Sequence, residues 1–112
     1  MMFRFLLILS CFCVAAGVAL AEGDPVNGKK LIKKWDCIVC HGLSGNTRSS
    51  EDEPVPMLAG QPAGYLVKAI NEYKAGTRVD FDTWSRMSRR VKGLSDQDIE
   101  DIAAHYAAQK RF

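Results

Sequence analysis

The sequence predicts a small all-α domain, and three observations carry that reading. Apolar residues recur at helical spacing in three stretches, each opened by a helix-start signal. No alternating polar and apolar run of strand length appears. Two long loops, rich in Gly, Ser, Pro and charged residues, separate the three stretches. A length of 112 residues leaves room for one domain. The formal net charge of +2 argues neither for a nucleic-acid binder nor for an acidic tail.

Residues 1–21 differ in composition from the rest. Arg4 stands near the start, an apolar run follows from Phe5 to Leu20, and Ala19-Leu20-Ala21 closes it with small residues. This predicts a secretory signal cleaved after Ala21, leaving residues 22–112 as the mature domain with no membrane span. An uncleaved anchor is the alternative, since the run is near the lower length limit for a spanning helix. Lipid attachment at Cys11 is a third, weakened by Leu9. Cleavage would remove Cys11 and Cys13 and leave only Cys37 and Cys40, too few for a disulfide framework.

The first helix is expected from Pro25 towards Trp35, with Asp24 as N-cap and Pro25 at the first helical position. Its apolar residues are Val26, Leu31, Ile32 and Trp35. Lys29, Lys30, Lys33 and Lys34 form either a solvated face or a basic surface that draws acidic partners. Residues 42–61 are loop chemistry, including the acidic run Glu51-Asp52-Glu53, and a loop of that length has something to wrap. The second helix opens at Gln61-Pro62, buries Tyr65, Leu66, Ala69, Ile70 and Tyr73, turns Lys68, Asn71, Glu72 and Lys74 to water, and stops at Gly76. Residues 77–93 form a second irregular region, rich in arginine and containing Trp84 and Met87. The last helix starts at Ser95, with Asp96 and Asp98 in its first turn. It carries the apolar stripe Ile99, Ile102, Ala103 and Tyr106.

The chemistry is concentrated in Cys37-Ile38-Val39-Cys40-His41. Two thiols on either side of a two-residue spacer can each bond a vinyl group of a haem, and the next residue can place an imidazole under the iron. Half a zinc site is the competing reading, but structural zinc wants four ligands and the mature chain adds only His105. A redox dithiol expects a preceding strand, which is missing from the pattern. The expected arrangement is therefore three main helices and loops wrapped around one covalently bound haem c, whose flat apolar body supplies core to a chain this short.

The sixth ligand decides what such an iron can do, because a second strong ligand restricts it to electron transfer. Met57, Met87 and His105 are the candidates. His105 lies off the apolar stripe, which predicts a surface position. Met57 belongs to the loop on the His41 side. Met87 lies in a distant loop among Ser85, Arg86, Ser88, Arg89 and Arg90, with no apolar period that would make it core filler, and is the expected ligand.

Several stretches in this order resemble class I c-type cytochromes, within them the cytochrome c4 and c553-like group and the haem subunits of flavocytochrome c sulfide dehydrogenases. They are Asn27-Gly28-Lys29, Cys37 to Gly42, Pro56-Met57-Leu58-Ala59-Gly60-Gln61 with Tyr65, Tyr73-Lys74-Ala75-Gly76, and Leu94-Ser95-Asp96-Gln97-Asp98-Ile99 leading to Ala103-Ala104-His105-Tyr106. The resemblance implies Met87 as the methionine ligand, seven residues before Leu94. It further implies that the Pro56 carbonyl meets the second ring nitrogen of His41, and that Leu58 packs on the haem. His105 departs from the tyrosine often found at its place, and Arg86, Arg89 and Arg90 make the Met87 loop unusually basic. The function implied is that of a periplasmic electron carrier rather than an enzyme. A haem subunit held by a dehydrogenase or flavoprotein partner, and an open-site enzyme or gas sensor, are the competing readings.

Overall fold

A computed structural model describes residues 22–47, 55–80 and 85–112. The expected leader of residues 1–21, the acidic run 51–53 and Trp84 lie outside the described residues. All regular structure among the described residues is helical, in the order α1 (Pro25–Lys34), α2 (Cys37–His41), α3 (Ala63–Ala75), α4 (Arg86–Val91) and α5 (Asp96–Ala107). None of these helices is long and apolar enough to cross a membrane.

Helix α1 begins where the Asp24 carboxylate accepts the backbone N–H of Val26 at 2.9 Å. It ends at Trp35, and Asp36 then turns the chain with φ +58° so that α2 starts at once. Aspartate is among the few side chains that tolerate that left-handed backbone. Helix α3 stops at Gly76, φ +76°, as expected for a glycine C-cap. Helix α5 opens with a reciprocal capping box between Ser95 and Asp98.

The core is Leu31 and Ile32 of α1 against Ile99, Ile102, Ala103 and Tyr106 of α5, extended by Leu66, Val91 and Leu94. Helix α1 crosses α5 at Gly28, where a Cβ would collide with the backbone carbonyl of Asp101. The Asp101 side chain then turns back and seals the crossing. It is buried and accepts from the Asp24 N–H (2.8 Å), Asn27 Nδ2 (2.7 Å) and Gln97 Nε2 (2.9 Å).

Several expectations need correction. Residues 77–93 are not wholly irregular: 86–91 form α4, and Met87 packs half-buried against the core because one helical turn there brings Met87 and Val91 to the same side. His105 is not on the surface but 4% exposed, because α5 is covered on a second flank by the loop after His41. Lys74 does not simply face water, since its Nζ donates to the Leu94 carbonyl at 2.6 Å. Val26, expected among the apolar residues of α1, is exposed.

Burial alone would raise the Asp101 pKa, yet the donors around the carboxylate outweigh it and hold the group below the usual aspartate value. A carboxyl depressed on folding contributes stability above its unfolded pKa and loses it as pH falls through the folded one. Asp101→Asn is expected to cost about 1–3 kcal/mol in urea unfolding at neutral pH, with the gap to wild type closing as pH is lowered into the acid range. Gly28→Ala should cost about 1–3 kcal/mol by overpacking, although alanine is the better intrinsic helix former. A neutral or stabilising Gly28→Ala would contradict the close crossing.

Candidate functional site

The helices enclose a cavity of about 710 Å³. One wall is α2 with Cys37, Cys40 and His41, and the Pro56–Leu58 stretch runs beside it. The inner face of α3 supplies a second wall with Leu66, Ala69, Ile70 and Tyr73, while Met87 and Val91 of α4 and Ile102 and Tyr106 of α5 complete it. Tyr65, expected on the buried face of α3, is 48% exposed and lies at this cavity. All six sequence-expected site residues, Cys37, Cys40, His41, Pro56, Leu58 and Met87, line this one space, and Met57 does too.

His41 is 5% exposed, and its Nδ1 lies 3.2 Å from the Pro56 carbonyl. A carbonyl only accepts, so Nδ1 carries the hydrogen and Nε2 keeps its lone pair. Burial lowers the His41 pKa, with the Pro56 bond opposing, and the ring is neutral at neutral pH. Such an imidazole, oriented through one nitrogen and basic at the other, is arranged as a metal ligand. The Cys37 thiol, buried in the same wall, is pushed up to about 11 by desolvation and is protonated at neutral pH, whereas Cys40 is exposed.

The segments carrying His41 and Pro56 are clipped together. The Gly45 carbonyl accepts from the N–H groups of Leu58 (2.8 Å) and Ala59 (3.1 Å). Gly45 has φ +74°, and a Cβ there would come within 2.7 Å of the Tyr106 ring, so no other residue fits. Helix α5 then holds the clip. Tyr106 donates its O–H to the Gly42 carbonyl at 3.0 Å, its own carbonyl accepts from Gly60 N–H at 3.0 Å, and His105 Nε2 donates to the Leu43 carbonyl at 2.7 Å. From the other side, Arg111 donates Nε to the Ala59 carbonyl at 2.9 Å. Sequence reasoning missed His105 and Arg111 in these roles. The signal for Arg111 was absent, since nothing local marks a side chain that spans 52 residues to reach a carbonyl.

The lysines of α1 fit the solvated-face alternative. Lys29, Lys30, Lys33 and Lys34 are exposed and none of them lines the cavity, which instead has Arg78, Arg86, Arg89 and Arg90 at its edge. Arg90 is paired with Asp36 at 3.1 Å.

The family model for cytochrome c matches residues 25–107. The chain belongs to the cytochrome c family. It is 39% identical to cytochrome c4 of Pseudomonas aeruginosa over 94 residues, which is 84% of this chain and 42% of that protein. It is 38% identical to cytochrome c-554(548) of Halomonas halodenitrificans over 89 residues, 79% of this chain and 99% of that protein. A crystal structure of reduced recombinant cytochrome c4 from Pseudomonas stutzeri matches the fold with a TM-score of 0.66 at 34% identity, covering 81% of this chain and 48% of that one. The chain thus spans about half the length of the cytochrome c4 relatives it matches.

Cytochromes c hold haem covalently, and the cavity fits such a group by its own chemistry. Its walls are largely apolar, two thiols and a neutral imidazole share one side, and a thioether is available from Met57 or Met87. The indole Nε1 of Trp35, a cavity residue, is buried without a protein partner among the described residues, a cost that an occupant can relieve.

Tyr106→Phe tests the clip, because it keeps the ring and removes only the O–H. It is expected to cost about 1–3 kcal/mol by leaving the Gly42 carbonyl unpaired. The amide protons of Leu58 and Ala59 should then exchange faster, while those in the middle of α1 stay protected. Unchanged exchange at Leu58 and Ala59 would show that α5 does not hold the clip through this hydroxyl.

Proposed function

We propose that the chain carries one haem c on Cys37 and Cys40, with His41 and Met87 as its axial ligands, and relays electrons between redox proteins in the bacterial periplasm. The observation that carries this reading is the convergence on one apolar cavity of two thiols, a neutral oriented imidazole and a thioether from a distant helix.

When bound, the haem supplies a one-electron ferric/ferrous couple. Every other requirement falls to the residues. Cys37 and Cys40 would hold the group through thioether bonds, so that it could not leave when its charge changes. The Pro56 carbonyl keeps the hydrogen of His41 on Nδ1, which leaves Nε2 able to bind iron and would make it a better donor. Met87 offers sulfur, which favours ferrous iron over ferric and so raises the potential relative to two imidazoles. Of the two candidate methionines, Met57 adjoins Pro56 and so shares the histidine's side of the cavity, which favours Met87 for the opposite face. Leu58, Leu66, Ile70 and Val91 exclude water, and a buried site disfavours the more highly charged state. With two strong protein ligands, the iron would be restricted to electron transfer.

Export is supported by residues 1–21, which have the composition of a cleaved signal, and an oxidising compartment suits a protein left with only its two haem-binding cysteines. The arginines at the cavity rim favour a partner with carboxylates around its own redox centre.

Spectroscopy of the mature protein tests the assignment. One haem per chain should survive denaturation in wild type. Cys37→Ala should retain haem through a single bond only, and the double replacement of Cys37 and Cys40 should lose it on unfolding. The weak ferric band at the red end of the spectrum, which reports a thioether on iron, should vanish in Met87→Ala and persist in Met57→Ala. A colourless folded protein, or a band that survives Met87→Ala, would overturn the reading.

A further inference from the structure

Helix α4, which carries Met87, is short and its own sequence gives it a poor start. Its first turn has no acidic residue and begins with Arg86, and Ser85 at the N-cap takes a left-handed φ of +50° with no capping bond from its side chain. A helix this short does not hold itself together in water, because few hydrogen bonds are made for the backbone angles fixed. The missing cap comes from elsewhere in the chain. Asp80 accepts from the Ser88 N–H at 3.3 Å and from the Ser88 O–H at 2.9 Å, and both residues are half-buried. Ser88 is the third residue of α4, so its N–H is one of the donors that a helix start leaves unpaired and that a capping side chain takes up. Here the carboxylate stands eight residues upstream. The C-terminal half of α4 is held differently. Val91 and Leu94 are buried in the core, Lys74 Nζ donates to the Leu94 carbonyl at 2.6 Å, the Trp35 ring lies against Gly93, and Arg90 pairs with Asp36 at 3.1 Å.

We propose that Asp80 is a positioning residue for the iron's sixth ligand: by tying down Ser88, it keeps the turn that carries the Met87 sulfur closed on the cavity. The inference rests on the haem reading above, with Met87 on the iron. Met87 and Ser88 are adjacent, so a movement that frees Ser88 carries Met87 with it. Core packing alone does not fix the sulfur, because Met87 is half-buried and its unbranched side chain adapts to many positions. A thioether favours ferrous iron, so the Met87 bond is the weaker one in the ferric state, and there the hold on the turn matters most. With Val91 and Leu94 anchored in the core, opening of α4 would start at the end that Asp80 holds.

The ferric holoprotein is mixed with imidazole, which competes with the thioether for iron. The limiting exchange rate at high imidazole is followed for wild type, Asp80→Ala, Asp80→Asn, Ser88→Ala and Asp36→Asn. The solution is kept above imidazole's own pKa, so that the probe is neutral and the loss of a protein charge does not alter its approach. At saturation the rate reports how often the Met87 turn opens rather than how tightly imidazole binds. Asp80→Ala should raise it about tenfold, the size of a lost helix cap. Asp80→Asn retains an acceptor for both bonds and should recover most of the wild-type rate, and Ser88→Ala, which keeps the N–H bond, should fall between. Asp36→Asn loosens the other half of α4 and should change the rate by less than about twofold, as an exposed pair would. Urea unfolding of each variant is measured alongside. A lower unfolding midpoint in Asp80→Ala with an unchanged exchange rate would make the contact an ordinary stabilising one and overturn the proposal, as would an equal rise in Asp36→Asn. If Asp80→Ala yields no folded holoprotein, Ser88→Ala decides, since it removes one hydroxyl: a raised rate supports the proposal and an unchanged rate overturns it. A ferric red band that survives Met87→Ala in the otherwise wild-type protein is a failure of the ligand assignment itself, and is distinguishable from each of these.

Discussion

The close crossing of α1 and α5 at Gly28 is the contact on which the other elements depend. It brings two backbones together where a side chain would not fit, and it converts Asp101 from a surface residue of α5 into a buried acceptor for the start of α1. Helix α2 follows α1 after a two-residue turn, so the angle of α1 on α5 also aims Cys37, Cys40 and His41. Helix α3 also packs on α5, and the cavity is the space these fixed directions leave between them. A side-chain core continuous through that space would need more chain than this protein has. A large bound group is therefore part of the fold's volume as well as its chemistry.

Positioning of His41 shows how this frame reaches the site. No residue of α2 fixes the imidazole's hydrogen. That task falls to the Pro56 carbonyl on a separate segment, and the segment is in turn held by Gly45, by Arg111 and by the backbone carbonyl of Tyr106. Tyr106 is at once the largest fully buried side chain of the core and the donor to Gly42. One residue of α5 therefore links the core to the histidine, and displacement of α5 would be felt first in the orientation of the ring.

Elements with local causes could be read from the sequence. The Asp24-Pro25 and Ser95 starts, the Gly76 stop and the apolar stripe of α5 depend on residues within one or two turns, and the structure agrees with each. The Cys-x-x-Cys-His spacing is equally local, and the cavity assembles around it. What escaped were features whose causes lie far along the chain. His105 looked like a surface residue because its helix was taken to have one covered flank, but the loop at Leu43 covers another. Helix α4 carries three arginines in six residues and shows no apolar period. Its single turn is imposed by Met87 and Val91 meeting the core, and Asp80 steadies it by accepting from the N–H and O–H of Ser88.

The distribution of charge separates stability from encounter. Asp101 is buried among neutral donors at the crossing, where a carboxylate is costly unless fully hydrogen-bonded, and its effect is on folding. Arg90 and Asp36 make an exposed pair at the cavity rim, and exposed pairs contribute at most a fraction of a kcal/mol to stability. What such a pair does is hold a guanidinium in one place next to the cavity mouth. The four lysines of α1 are exposed and none of them lines the cavity. Their field is screened over about 8 Å at physiological salt. The arginines act at contact range, where orientation decides how near two redox centres come. Under the proposed relay, the arginines of α4 would align a carboxylate-bearing partner at contact range, where salt screens an interaction less than it does between separated charges.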